Sequence, residues 1–147
     1  MKRILMILLA ICAITSVQAQ NAPRGEKRDK IITENLLSKM IPVNRKFAIT
    51  RTPISYYLYW VVTGEKAHDA NTSISQAAYI SDAKQKKMVN TLNTESKGTV
   101  TFSIATPSQI QEARKHGLQG DIQHHGGGTH GFYLVLPYNQ WQMFEGL

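Results

Sequence analysis

The sequence predicts an α+β fold, a single domain with a mixed or antiparallel sheet of about four to five strands and helices packed on one face. Three observations carry this expectation. A chain of 147 residues accommodates one domain and leaves little room for a second. Period-two and period-3.6 apolar patterns both occur along it. The strand-like runs are adjacent near the start and separated by helical stretches later, which argues against a regular alternation of strand and helix. A composition of 42% apolar and 18% charged residues further excludes a disordered tail, a collagen-like repeat and a multi-span membrane protein.

Residues 1–19 read as an export signal. Lys2 and Arg3 form a positive start, residues 4–14 are an unbroken apolar run, and Val17-Gln18-Ala19 offers the small-residue pattern that a signal peptidase reads. The run is too short to span a bilayer, which takes about 20 residues, so no transmembrane anchor is expected after cleavage. Cys12 lies inside the run with bulky Ile11 ahead of it, a poor point for lipid attachment. Cleavage after Ala19 removes the one cysteine, and with it any thiol nucleophile, thiolate ligand or disulfide. It also takes the formal charge from +7 to +5, an excess that suits an acidic partner or an anionic surface. The expected location is periplasmic or secreted. Residues 20–25 then read as a flexible tether broken by Pro23 and Gly25, and 26–147 as the globular domain.

Within that domain, the apolar pairs Ile31/Ile32, Leu36/Leu37 and Met40/Ile41 predict a helix over 26–41, stopped by Pro42. Phe47 and Ile49 alternate with Lys46, Ala48 and Thr50 as a half-buried strand would. The run 54–63, containing Tyr56, Tyr57, Leu58, Tyr59, Trp60, Val61 and Val62, is apolar on both faces and predicts a central strand. Residues 64–73 are polar and turn-rich, a surface excursion long for a hairpin loop. Residues 74–80 fit either a short strand or the first turns of a helix. Ser81 caps a helix running to about Leu92, with Lys84, Lys86 and Lys87 on its solvent side, and 93–98 reads as a loop. Val100, Phe102 and Ile104 alternate with Thr99, Thr101 and Ser103, a second half-buried strand. Thr106, Pro107 and Gln109 then supply a helix cap, a first helical residue and a capping-box partner. Ile110 and Ala113 face inward on that helix, and Gly117 ends it. Residues 132–136 form a buried strand stopped by Pro137, followed by an aromatic turn or short helix over 138–144.

One local feature stands out of proportion to its surroundings. His124-His125-Gly126-Gly127-Gly128-Thr129-His130 holds three of the five histidines, with Asp121 just upstream. As a metal site, Asp121, His124, His125 and His130 would supply the nitrogen and oxygen ligands that zinc, copper or nickel accept. The spacing matches no helix-borne ligand pattern, and neighbouring His124 and His125 would point to opposite sides of an extended segment, so at most one joins His130 easily. As an oxyanion hole, the string from His125 to Gly128 lacks the nucleophile elbow that accompanies it in hydrolases. As a connector, the glycines supply unusual backbone angles and the histidines are simply polar, yet the loop still offers backbone N–H groups to a partner. The connector reading is preferred, and no metal and no cofactor are expected.

Glu65, His68 and Asp69 cluster in the 64–73 excursion and read as a solvated turn. The aromatic run at 56–60 reads as buried strand rather than a stacking surface, because Arg45, Lys46 and Arg51 precede it instead of interleaving with it. Two functional classes follow. The favoured one is an exported, small, non-catalytic binding domain, in concrete form an inhibitor or immunity-type protein, engaging another protein or an anionic envelope component and no nucleic acid. The alternative is a small histidine-dependent, metal-assisted hydrolase with its site at 124–131.

Overall fold

The computed structural model describes residues 22–67, 76–125 and 128–145. The predicted export segment, Gln20, His68, Asp69, Gly126, Gly127 and the side chain of His125 lie outside the described residues. Helix α1 (Gly25–Asn35) is followed by a 3-10 turn (Leu37–Lys39). Just ahead of it Ala22 is buried, and Gly25 already belongs to the helix. The helix also ends earlier than the apolar pairs suggested. Met40 and Ile41 leave it for strand β1 (Met40–Val43), with Pro42 inside the strand. On an edge strand a missing N–H can face away from the partner, so Pro42 is tolerated there instead of acting as a helix stop.

Asn44 and Arg45 both take left-handed backbone, φ 51° and 55°, in the tight turn that returns the chain into β2 (Phe47–Thr50). All four β2 residues are buried, not half-buried, because the sheet is covered on both sides. The aromatic run that follows is a helix, α2 (Tyr56–Thr63), and not the central strand its composition suggested. Ser55 caps it by accepting a hydrogen bond from the Leu58 N–H at 3.1 Å, and Gly64 closes it at φ 74°. A short apolar run bounded by turn residues does not separate a buried strand from a buried helix by period alone. Here Tyr56, Leu58, Tyr59, Val61 and Val62 are buried, while Tyr57 and Trp60 are half-buried on one helical face.

The described part of 74–80 is extended: Ala77 bridges to Ser55, and Ile80 enters the short strand β3 (Ile80–Ser81). Ser81 caps α3 (Asp82–Ser96), which continues past Leu92 through most of the predicted 93–98 loop. Asn93 accounts for that continuation. From within the helix its side-chain amide accepts from the Phe102 N–H at 2.7 Å and donates to the Phe102 carbonyl at 2.9 Å, the pairing a neighbouring strand would have given. Val100 and Phe102 are buried and Thr101 is exposed as the alternation required, yet the paired strand β4 is only Ser103–Ile104. Helix α4 (Pro107–Arg114) begins with the expected capping box of Thr106 and Gln109. Strands β5 (His124–His125) and β6 (Thr129–His130) precede β7 (Leu134–Pro137), and the chain closes with α5 (Tyr138–Trp141) and a 3-10 turn (Gln142–Phe144).

The four-stranded sheet is antiparallel with order β1-β2-β7-β4, and a smaller antiparallel ribbon has order β3-β6-β5. The fold is thus a single α+β domain. Ala48, Leu134 and Leu136 point to one side of the large sheet, where Ile32, Leu36, Tyr59, Met88 and Leu92 bring α1, α2 and α3 against it. Ile41, Val43, Phe47, Ile49 and Val135 point to the other, where α4 adds Ile110 and Ala113. Three helices share the expected face, and α4 covers the second one.

Arg28 ties the helices together from inside. It is 5% exposed, and its Nη1 and Nη2 bond the two carboxylate oxygens of Glu95 at 3.0 and 2.8 Å. Its Nε and Nη2 also donate to the Val61 and Val62 carbonyls at 3.0 and 2.9 Å. Those carbonyls belong to the last turn of α2, where the helix itself supplies no donor. Among the described residues, no helix is long and apolar enough to cross a membrane.

Candidate functional site

The histidine-rich segment is a hairpin braced on α3. β6 pairs with β5 on one side and β3 on the other, and the register sets His124 directly opposite His130. Their ring centroids lie 5.3 Å apart with a 34° tilt. His130 Nε2 meets Asp82 Oδ1 at 2.7 Å, and its Nδ1 faces the Gly131 carbonyl at 3.0 Å and the Gln85 amide nitrogen at 3.4 Å. Gln85 is buried and donates to the Ile80 and His130 carbonyls, both at 3.1 Å. Both ring nitrogens of His130 thus have partners within the chain, Nε2 on the exposed Asp82 carboxylate and Nδ1 on the Gly131 carbonyl. Gly128 takes φ 73° where the glycine-rich turn returns. Asp121, the carboxylate expected beside the histidines, instead pairs with Arg114 at 2.8 Å. Among the described residues, no group of three or more His, Cys, Asp or Glu is placed to hold a metal ion.

Of the 64–73 cluster, Glu65 turns inward to the helices. The Tyr59 hydroxyl donates to its carboxylate, and Lys87 Nζ stands 3.6 Å from the same oxygen. The Tyr59 hydrogen bond, ahead of the attraction of Lys87 and Lys84, holds Glu65 below the usual carboxylate range. Burial, and then the Glu65 contact, push the Tyr59 hydroxyl well above the usual phenol range, so it remains a donor.

A second site lies away from the histidine segment. A surface cleft of about 640 Å³ opens between the end of α1 and residues 50–55. Leu36, Ile54 and Leu58 are buried and form its apolar floor, while Asn35, Thr52, Pro53 and Tyr57 line its walls. Lys39 and Arg51 also line it, and none of the described lining residues is acidic. Their placement follows from the β1–β2 register. Met40 pairs with Thr50, so the next step outward sets Lys39 opposite Arg51, and the Arg51 N–H donates to the Lys39 carbonyl at 3.2 Å. Like charges directly opposite each other across an antiparallel pair repel and destabilise it. Among the described residues, neither cation has a carboxylate at ion-pair distance.

The segment carrying Arg51 is held from beneath. The Gln119 N–H donates to the Arg51 carbonyl at 2.8 Å, and the Tyr133 hydroxyl donates to the Gln119 and Gly120 carbonyls, both at 2.9 Å. Burial pushes Tyr133 above the usual phenol range, which keeps that hydroxyl protonated as a donor. Gly120, at φ 78°, lies so close to Pro53 that a Cβ there would come within 2.7 Å of its Cδ. The cleft wall is therefore pre-formed. An ammonium and a guanidinium lining one cleft can together hold a carboxylate, sulfate or phosphate with charge-assisted hydrogen bonds.

Comparisons with protein-family models, with curated proteins and with solved structures each give no match. Sequence reasoning registered Arg51 only as a residue preceding the aromatic run and passed over Lys39. The usable signal was Asn44-Arg45 as a turn between apolar runs, since the pairing it implies carries the ladder out to both cations.

Proposed function

We propose that this chain is an exported, non-catalytic binding domain that engages an anionic macromolecule through the Lys39–Arg51 cleft. The carrying observation is that Lys39 and Arg51 line one cleft from hydrogen-bonded backbone positions and, among the described residues, have no carboxylate at ion-pair distance, an arrangement whose repulsion an anionic ligand would relieve. The export half of the reading rests on the positive start, apolar run and Val17-Gln18-Ala19 site of the first nineteen residues. An inhibitor or immunity-type role, in which the ligand is the acidic surface of another protein, is its concrete form; an anionic envelope component is the other candidate. The hydrolase alternative gains no support from His130, whose two ring nitrogens are already engaged.

The test is binding of the full chain to immobilised poly-L-glutamate at low salt. The double variant Lys39→Glu/Arg51→Glu should lose binding. A control with the same net charge, Lys86→Glu/Lys115→Glu on exposed parts of α3 and the α4 terminus, should weaken it only slightly. Equal losses in the two variants would reduce the interaction to net charge and remove the cleft from the account.

A further inference from the structure

The cleft does not end at its cations. Tyr57 lines it, and one helical step further along α2 stands Trp60, the two rings 6.2 Å apart between centroids and inclined by 55°. Lys66 places its ammonium 5.9 Å from the Trp60 ring centroid. Both aromatics are half-buried, with their inner edges packed on the core, while Lys66 is exposed. A single strip therefore runs from the Lys39–Arg51 pair over Tyr57 to Trp60 and Lys66, cationic at both ends and aromatic between.

We propose that this strip binds an acidic polysaccharide, a chain of sugar rings carrying carboxylates or sulfates. This deepens the anionic-ligand reading and rests on it. Aromatic faces pack against the C–H faces of pyranose rings, while cations beside them take the acid groups with charge-assisted hydrogen bonds. Single-stranded nucleic acid is the other polyanion that stacks on aromatic rings, and the export signal read in the first nineteen residues disfavours it. Successive pyranoses in a glycan are rotated against each other, and their length is comparable to the separation of these two inclined rings. An acidic peptide would use the cations but leave the aromatic part of the strip without a role.

The experiment compares three probes on the full chain at matched ionic strength: polygalacturonate, poly-L-glutamate and single-stranded oligothymidylate. Polygalacturonate should bind at least about tenfold more tightly than poly-L-glutamate, equivalent to about 1.4 kcal/mol. Tyr57→Leu and Trp60→Leu should each erase most of that ratio while leaving poly-L-glutamate binding in place. Should Trp60→Leu fail to fold by circular dichroism, Tyr57→Leu carries the same test. Equal affinity for the two acids would overturn the sugar assignment and leave the cleft standing. Tighter binding of the oligothymidylate would overturn it in favour of nucleic acid. No binding of any probe would remove the cleft reading together with it.

Discussion

Arg28 and Arg51 carry the same guanidinium into opposite circumstances. Arg28 is buried, and every contact it makes is internal: a two-pronged bond to Glu95 and two carbonyls at the end of α2. Arg51 is exposed, has no carboxylate at ion-pair distance among the described residues, and faces another cation. The difference separates two uses of charge. Inside, a cation is tolerated only when its donors are matched, and it then fixes how helices meet. At the cleft, a cation left facing its own kind lowers stability slightly and keeps its donors available for something not part of the chain.

The largest effect expected from this contrast is at the buried end. Glu95→Ala should cost about 3–5 kcal/mol in chemical denaturation, because it strands the Arg28 guanidinium in the interior. The double change Arg28→Met/Glu95→Met should cost less than Glu95→Ala alone, since no unpaired charge remains, though the Val61 and Val62 carbonyls then lose their donor. A double variant as unstable as the single one would show that Arg28 matters for closing α2 rather than for its charge.

Next in size is a reference point away from both arginines. Thr106→Ala removes the α4 cap and should cost about 1 kcal/mol. At the cleft the sign should reverse. Lys39→Glu replaces a repulsive cross-strand pair with an attractive one and should raise stability by about 0.2–1 kcal/mol while weakening polyanion binding. A variant that loses both stability and binding would break the comparison, because Lys39 would then be structural like Arg28.

The smallest effect concerns pH. Burial, opposed by Arg28 and reinforced by Glu95 and Glu26, holds Asp29 above the usual carboxylate range, and its Oδ1 is buried with no hydrogen-bond partner. A raised folded-state value means that ionised Asp29 costs stability at neutral pH, and that the cost lifts as pH falls through that value. Asp29→Asn should therefore raise the melting temperature at neutral pH, with the gain fading toward pH 4. Glu65 should behave in the opposite sense, because the Tyr59 hydrogen bond lowers its folded-state value. Its contribution should be complete above the usual carboxylate range and lost as pH falls through the lowered value. Melting curves of Asp29→Asn and Glu65→Gln across acid pH would separate the two.

What was legible in the sequence tracks how local the deciding chemistry is. The α4 start could be read from four residues, because Thr106, Pro107 and Gln109 satisfy the helix end among themselves. Ser81 announced α3 in the same way. The state of Tyr56 to Val62 was not legible from period, since helix and strand are both compatible with a run that is buried nearly all round. Ser55 and Gly64, the flanking cap residues, carried the information instead. Met40 and Ile41 kept the spacing of α1 but joined a hairpin, a choice made by their partners in β2 rather than by their neighbours in sequence. The register sets His124 opposite His130, a placement that strand pairing decides, while the His125 side chain lies outside the described residues. The Lys39–Arg51 pair depended on a long-range register, and no count of charges along the chain reveals a register.

The place of β7 bears on when this molecule can exist at all. The strand nearest the end of the chain is the centre of the large sheet, flanked by β2 from the first part and β4 from the later part. Until it arrives, the β1–β2 hairpin has one unsatisfied edge and β4 has no neighbour in that sheet. A chain with this topology completes its large sheet only when β7 joins the strands on both sides of it, and such long-range pairings slow folding. Deleting Leu134–Pro137 would take away the strand on which both halves of the sheet meet.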